Sequence, residues 1–446
     1  MCENTVFRKG DVFVLFGELF GRGYATGLLD QARKAGMQIV GITVGRRDEN
    51  NALRPLSDDE LLEAEARLGG TIINVPLMAG FDADAPAGGP TPTDLLAGMT
   101  LESWAQHKLD WDYIEKCQAV ATARFTAALS QVMTILDGMI ADDRNVFFAH
   151  TMAGGIPKAK VFLVLANRIY KGTGSRHMSS QALLDSDMGK LILRNFDEVS
   201  ATTFRHLIDF STAIRERIEA AGGQVRYTAY GYHGTGILID GQYRWQTYTN
   251  YTQGYAKMRL EGIAQDAWAK GVKATVYNCP EIRTNSSDVF TGIELPLIPL
   301  LLALKKENGG RWAAEQWRAC EALLADGFTL DDVIAKIQDL QASEVMIPFY
   351  DFSAWPMPNS QAQADLTIGT SHEITGMHRD GKAMISDHLS TLVVEATGQL
   401  IFGASSSPSG PVQWLNHDIV ARRLNASNAD TETGQNQRSA TSLEVA

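Results

Sequence analysis

Val12-Phe-Val-Leu-Phe16-Gly17-Glu-Leu-Phe-Gly21-Arg-Gly23-Tyr24 is the stretch on which the fold turns. Five apolar residues in a row ending at a glycine are the pattern of a strand buried on both faces. From Tyr24 to Ala35 the spacing is helical, with Leu28, Leu29 and Ala32 on one side. Gln38-Ile-Val-Gly-Ile-Thr-Val44 follows as a second strand. Strand, glycine turn, helix and strand make a βαβ unit. Gly17, Gly21 and Gly23 carry no Cβ, so backbone N–H groups can approach an anion closely. The helix beginning near Tyr24 adds free N–H groups and a partial positive charge. With 40 glycines in the chain, the GxxxGxG spacing matters through its place between an early strand and a helix. The turn, Tyr24 included, is expected to hold the pyrophosphate of a dinucleotide.

The same alternation continues outward. Thr71 to Leu77 reads as a third strand, residues 79–100 as a loop and residues 109–142 as mostly helix. Asn145-Val-Phe-Phe-Ala149 is a strand followed by the Gly154-Gly155 turn. A helical region spans 181–221, interrupted near Asn195. Gln224 to Tyr230, a helix over 252–269 and Val272 to Tyr277 complete the series. This order predicts an α/β fold, a doubly wound parallel sheet of Rossmann type. Arg311 to Ala325 and Leu330 to Gln341 are expected as helices. Over 365–405, runs such as Ser390-Thr-Leu-Val-Val-Glu395 and Leu400-Ile-Phe402 suggest a small sheet or extra layer. The expected organisation is a reductase-like domain over 8–345, an extension over 346–424 with helical and small β additions, and a polar tail over 425–446.

Composition narrows the class. The 446 residues have a formal net charge of -12, which argues against a nucleic-acid or anionic-membrane binder. Cys2, Cys117, Cys279 and Cys320 are scattered without a CxxC pair, as for reduced cytosolic thiols. The first residues lack a signal-peptide layout. The apolar stretch from Ile293 to Leu304 is shorter than the ~20 residues a membrane span needs. A cytoplasmic protein is expected, with a homo-oligomer open.

The second strand ends Gly45-Arg46-Arg47. An arginine there can bind a ribose 2′-phosphate bidentately, where NAD sites carry an acidic residue. NADPH is therefore the expected cofactor, with NADH kept open by Asp48. Far along the chain, Tyr248-Thr-Asn-Tyr251-Thr-Gln-Gly254-Tyr255-Ala256-Lys257 opens a helix. A phenol, with a free pKa of about 10, needs a nearby cation to give up its proton. Tyr255 is too near Lys257 in sequence to share its helix face, whereas Tyr248 and Tyr251 both fit.

Together these residues resemble the short-chain dehydrogenase/reductase superfamily. The nearest branch is the single-chain bacterial enoyl-thioester reductases of FabV type and the metagenomic-type enoyl-acyl carrier protein reductases. Tyr248 and Lys257 have the Tyr-x8-Lys spacing of that branch, with Gly254 and Ala256 at its small positions. Lys273 to Thr284 resembles the strand and loop that close over the nicotinamide, with Ile282 and Thr284 on the loop. Ile293 to Lys306 resembles the proline-bearing helix that follows. Ala149-His150-Thr151 stands where the family's strand ends beside the adenosine ribose. Ala229-Tyr230-Gly231-Tyr232 resembles the segment with the second active-site tyrosine, matched here to Tyr232. The piece from His233 to Gly241 is an insertion, and the region after 345 has no counterpart.

The resemblance implies reduction of a 2-enoyl thioester, carried on acyl carrier protein or coenzyme A. Tyr248 would stabilise the enolate with Tyr232 assisting, and Lys257 would bind the nicotinamide ribose. An acyl groove is expected between the Ile293–Leu304 helix and Phe349 to Trp355. Two alternatives stay open: a carbonyl reductase or hydroxyacyl dehydrogenase, and a non-catalytic NADP-binding regulator. His372 and His378 lack the spacing of zinc helices. Asp387-His388 and the Ser405-Ser-Ser-Pro-Ser-Gly run are read as structural.

Overall fold

A computed structural model describes residues 6–17, 23–49, 52–231, 234–246, 253–284, 291–351 and 357–429. Seven strands form its central sheet: β1 (Val12–Phe16), β2 (Gln38–Val44), β3 (Thr71–Leu77), β4 (Val146–His150), β5 (Val225–Gly231), β6 (Ala274–Asn278) and β7 (Val412–Trp414). Their order across the sheet is β7-β6-β5-β4-β1-β2-β3. All the pairings are parallel. The order reverses between β1 and β4, the switch point where open α/β sheets bind ligands. The register brings the strand ends level: Phe16 pairs with Ile42 and His150, His150 with Ala229, Gly231 with Asn278, and Asn278 with Trp414.

Alternation along each buried strand divides the core into two layers. Phe13, Leu15, Ile39 and Phe147 face helix α1 (Tyr24–Lys34) and the C-terminal helices. Val12, Val14, Phe16, Val40 and Phe148 face the opposite layer, with Phe125, Leu129, Phe204 and Leu260. Fully burying each such side chain contributes about 1.5–3 kcal/mol. A third cluster around Phe81, Phe162 and Leu191 stands beside them.

Trp111–Met139 is, among the described residues, the one helix long and apolar enough to cross a membrane. It was not singled out from sequence, where the apolar stretch weighed was Ile293 to Leu304. Here it lies on the sheet as a core helix, burying Phe125, Leu129, Val132 and Leu136.

The expected small sheet over 390–402 is not formed. Ile385–Ser405 is one long helix. Its buried residues Ile385, Leu389, Val393, Ala396 and Ile401 recur at helical spacing, which the β-branched run obscured. Two of its buried hydroxyls are satisfied within the helix, Ser390 Oγ donating to Ser386 O and Thr397 Oγ1 to Val393 O at 2.7 Å. This helix packs along α1. A Cβ on Gly27 would stand 2.0 Å from Val394 O, and one on Gly398 2.3 Å from Gly27 C, so the two helices meet backbone to backbone.

Two short hairpins complete the β structure, Arg46–Arg47 with Leu53–Arg54 and Thr235–Ile239 with Gln242–Gln246. The second begins within the inserted piece, His233 to Gly241, and runs on to Gln246. It is fastened to the end of β7, where the Gly236 N–H donates to Asn416 Oδ1 at 2.8 Å.

Gly27→Val is expected to overpack the helix contact and lower the melting temperature by roughly 2–10 °C. Gly403→Ala is the control on the partner helix, Ile385–Ser405, where a Cβ meets nothing within 4 Å. It should leave stability unchanged or raise it by up to about 1 kcal/mol. Calorimetry on both variants checks the contrast.

Candidate active site

The site is built on the level C-terminal ends of β1, β4, β5 and β6. Gly17 ends β1 with φ 125, a conformation that favours glycine. Its N–H donates to Ile42 O at 3.1 Å, extending the strand pairing by one residue. A Cβ there would lie 2.7 Å from Met152 N and 2.9 Å from Thr151 Oγ1. The ends of β1 and β4 therefore touch with only a hydrogen between them. Thr151 closes this junction, its N–H and hydroxyl both donating to Phe16 O, at 2.8 and 3.1 Å.

Gly21 lies outside the described residues. Gly23 precedes α1 in extended conformation, and a Cβ on it would meet nothing within 4 Å. Among the described residues no side chain caps α1, and no acidic residue occupies its first turn. The first helical N–H groups thus keep their positive end of the dipole. Tyr24 is turned inward. Its hydroxyl donates to Pro280 O and its ring stacks on Tyr230 with centroids 5.6 Å apart. This one side chain ties the start of α1 to the end of β5 and to the loop after β6.

At the end of β2, Arg46 and Arg47 diverge. Arg46 is exposed. Arg47 reaches 3.7 Å from Asp84, which Arg124 already holds bidentately at 2.8 Å. Asp48 accepts from the Ala52 N–H at 2.9 Å within its own turn.

At the end of β4, Ala149 and His150 are wholly buried. The His150 ring lies between Phe16 and Phe204, with its Nε2 2.8 Å from Thr203 Oγ1. Burial first, and the Lys257 charge second, push its pKa well below the usual range, so the ring is neutral. Contact from position 150 to a ligand at the strand ends therefore falls to the backbone.

Sequence reasoning passed over the helical support of this edge. The Asp187–Asp197 helix runs into a π-helical turn, Glu198–Thr202, and then the Thr203–Phe210 helix. The helix runs unbroken through Asn195, where an interruption was expected, and changes pitch only in this turn, a feature common at functional sites. Asn195 accepts from the Phe81 N–H at 2.9 Å and donates to Gly155 O at 2.7 Å. Ser200 Oγ donates to Gly154 O at 3.1 Å. Together they pin the glycine loop that follows β4. The signal in sequence was a polar Asn195 at a buried helical position.

Lys257 sits on the Gln253–Ala269 helix, which packs against the π-helical turn. It is 2% exposed, and burial pushes its pKa from 10.5 to about 7. Tyr232, Tyr248 and Tyr251 lie outside the described residues. The loop after β6 is held from the C-terminal helix: Arg283 N–H donates to Ser390 Oγ at 2.9 Å, and Arg283 Nη1 to Asp387 at 2.8 Å. Ile282 is buried in this loop, and Thr284 is half-buried. Burial pushes the Cys279 thiol up, leaving it inert.

A family model described as enoyl-acyl carrier protein reductase FabMG matches residues 1–424. The chain belongs to the FabMG family of enoyl-acyl carrier protein reductases. An apo structure of a FabMG enoyl-acyl carrier protein reductase is 67% identical, with TM-score 0.94, over 96% of this chain and 97% of its own. An NADH-bound FabMG structure is 57% identical, with TM-score 0.76, over 96% of this chain and 100% of its own. None of the curated proteins compared matches the chain.

Membership in this enoyl-acyl carrier protein reductase family selects among the readings left open by the sequence. The chain is an oxidoreductase of a carbon–carbon double bond, rather than a carbonyl reductase or a silent dinucleotide binder. In this reductase the remaining constellations have architectural roles. His378 Nδ1 is 2.8 Å from Ile374 O, and its Nε2 accepts from the Ile385 N–H. Asp387 serves Arg283, and His388 meets Gln316 at 2.8 Å. Of the segments expected to line an acyl groove, Leu295, Leu297, Leu300, Leu304 and Phe349 share the main apolar core. Residues 352–356 lie outside the described residues.

The buried ammonium has a signed effect on stability. Between about 7 and 10.5 the unfolded chain holds a proton at Lys257 that the folded chain has lost, so this residue's contribution rises with pH. Below about 7 both states are charged, and the folded state bears the full desolvation penalty. Lys257→Met should therefore raise the melting temperature of the cofactor-free enzyme more at pH 6 than at pH 9, by about 2–4 °C per kcal/mol. Thermal melts at the two pH values check it.

Proposed function

We propose that this reductase takes hydride from a nicotinamide dinucleotide seated at the switch point between β1 and β4. The observation that carries the reading is the meeting at one sheet edge of the side-chain-free end of β1 at Gly17, the uncapped start of α1 at Gly23 and the buried Lys257. These residues fit such a group, since the open side of Gly23 faces no atom of the described residues within 4 Å. The NADH-bound relative supports the same cofactor class.

When bound, the dinucleotide supplies the hydride that goes to the β-carbon of the enoyl thioester. Gly17, Gly21 and Gly23 let backbone N–H groups of the turn and of α1 bind the pyrophosphate. Tyr24 holds α1 against the loop carrying Ile282 and Thr284, which lie on the nicotinamide side. The ends of β4, at Ala149, His150 and Thr151, form the ribose side. Tyr248 donates to the thioester oxygen as negative charge gathers there, with Tyr232 assisting. Lys257 binds the nicotinamide ribose and stabilises that charge. The substrate is an acyl thioester, carried on acyl carrier protein in the cytoplasm, with the coenzyme A ester a second carrier.

Cofactor choice rests on Arg46. Arg47 is committed towards Asp84, while Arg46 is exposed at the end of β2. Arg46 favours NADPH by pairing with the 2′-phosphate, and NADH is also accepted.

Tyr248→Phe is expected to lower kcat at least ~100-fold with dinucleotide affinity nearly unchanged. Full activity in that variant moves the acid to Tyr251 or to another mechanism. Arg46→Ala should raise KM for NADPH about tenfold while KM for NADH moves little. Steady-state kinetics with a 2-enoyl thioester and each cofactor decide both.

A further inference from the structure

The Thr203 hydroxyl has one proton, and it donates this to Val199 O at 2.6 Å within the π-helical turn. It can therefore only accept from His150, so Nε2 of His150 carries the ring proton. Nδ1 is then a bare lone pair. His150 is 1% exposed, and this nitrogen meets no hydrogen-bond donor among the described residues. A buried acceptor without a partner is costly and rare, and marks a place for an ordered water or a functional group. The cation whose field reaches this ring is Lys257, on the helix packed against the same π-helical turn. The carboxylates on the surrounding elements are otherwise engaged. Glu198 accepts from Gln118, Asp197 from Arg259, Asp266 faces Arg205, and Glu261 accepts from Asn278. The Tyr277 phenol of β6 is held neutral by burial.

We infer that His150 is a positioning residue for Lys257, its Nδ1 lone pair accepting the ammonium's hydrogen bond through one shared water. The chain runs from Lys257 Nζ–H to the water oxygen, and from the water O–H to His150 Nδ1. Nε2–H passes on to Thr203, and Thr203 to Val199 O. The π-helical turn thus sets the histidine tautomer, and the tautomer sets an acceptor that favours the charged lysine. This deepens the proposed function and rests on its assignment of Lys257 to the reacting site.

The test is the pH profile of kcat/KM for wild type, His150→Phe, His150→Asn and Thr203→Val. Phe fills the ring's space without an acceptor, and Asn restores one near Nδ1. Losing a hydrogen bond to a charged group moves a pKa by about one unit or more, which is about tenfold in activity. In His150→Phe the alkaline limb should move down by about one pH unit. His150→Asn should return the limb towards wild type. Thr203→Val, which frees the tautomer, should shift it the same way as Phe. A role in packing alone would lower the melting temperature of these variants and leave the limb in place, and that result overturns the inference. If His150→Phe does not fold, Thr203→Val carries the test with the same two outcomes. Lys257→Met separates the levels: full activity there defeats the assignment of Lys257, whereas lost activity with unmoved limbs defeats only the role of His150.

Discussion

Side chains have no room at Gly27 on α1, where a Cβ would meet Val394 O, or at Gly398 on the Ile385–Ser405 helix, where one would meet the Gly27 backbone. No Cβ fits on either side, so the helices approach backbone to backbone. Much of the molecule follows from that seating. Once Ile385–Ser405 lies on α1, Asp387 and Ser390 are in place to hold Arg283 and the loop after β6. Phe402 meets Phe7, which stacks on Phe147 of β4 with centroids 5.0 Å apart. At the helix end, Ser405 O accepts from Arg226 of β5 at 3.0 Å. The chain then delivers β7 to the free edge of β6. The helix that opens the dinucleotide turn is thus braced on its outer side by residues from the far end of the sequence.

The inner side of the same turn is organised by polar groups that a core normally excludes. Lys257 is a buried amine whose pKa burial lowers to about 7, His150 a neutral ring whose Nδ1 has no partner among the described residues, and Asn195 a buried amide spanning two loops. Each is a polar group in a mostly apolar interior, where burial is costly without hydrogen-bond partners. Such groups collect at functional sites, where rigid surroundings hold them. Here the surroundings are the two apolar layers of the sheet and the π-helical turn. That turn re-aims Thr203 towards β4 while Asn195 and Ser200 grip the glycine loop after that strand. Tyr24 performs the matching task on the other side, bridging α1, β5 and the loop after β6.

The parallel sheet and most helices were legible because their signals are local. A five-residue apolar run followed by a glycine, as in Val12–Gly17, is a strand end wherever it occurs in such a series. The spacing of Leu28, Leu29 and Ala32 is a helix face. One exception, Ile385–Ser405, had the periodicity of a helix beneath the composition of a strand, and Lys160–Lys171 and Gln361–Gly376 were not read as helices either. In the site, residue types announced themselves at Gly17, Gly23 and Lys257, since each is chemically unusual at its position. The inward turn of Tyr24, the commitment of Arg47 to Asp84 and the links from Asn195 to Phe81 and Gly155 had no such signal. Each depends on a partner that sequence spacing does not identify.

By itself, then, the sequence determined the alternation of elements, the glycine turn and the chemistry available at the strand ends. These depend on backbone geometry and side-chain type over a few residues. Tertiary structure alone decided which ends stand level, that Gly27 meets Gly398, which arginine is exposed and which nitrogen of His150 carries its proton. Those outcomes are set by packing and hydrogen bonds between segments distant along the chain. The order β3-β2-β1-β4-β5-β6-β7 is what brings the segments together.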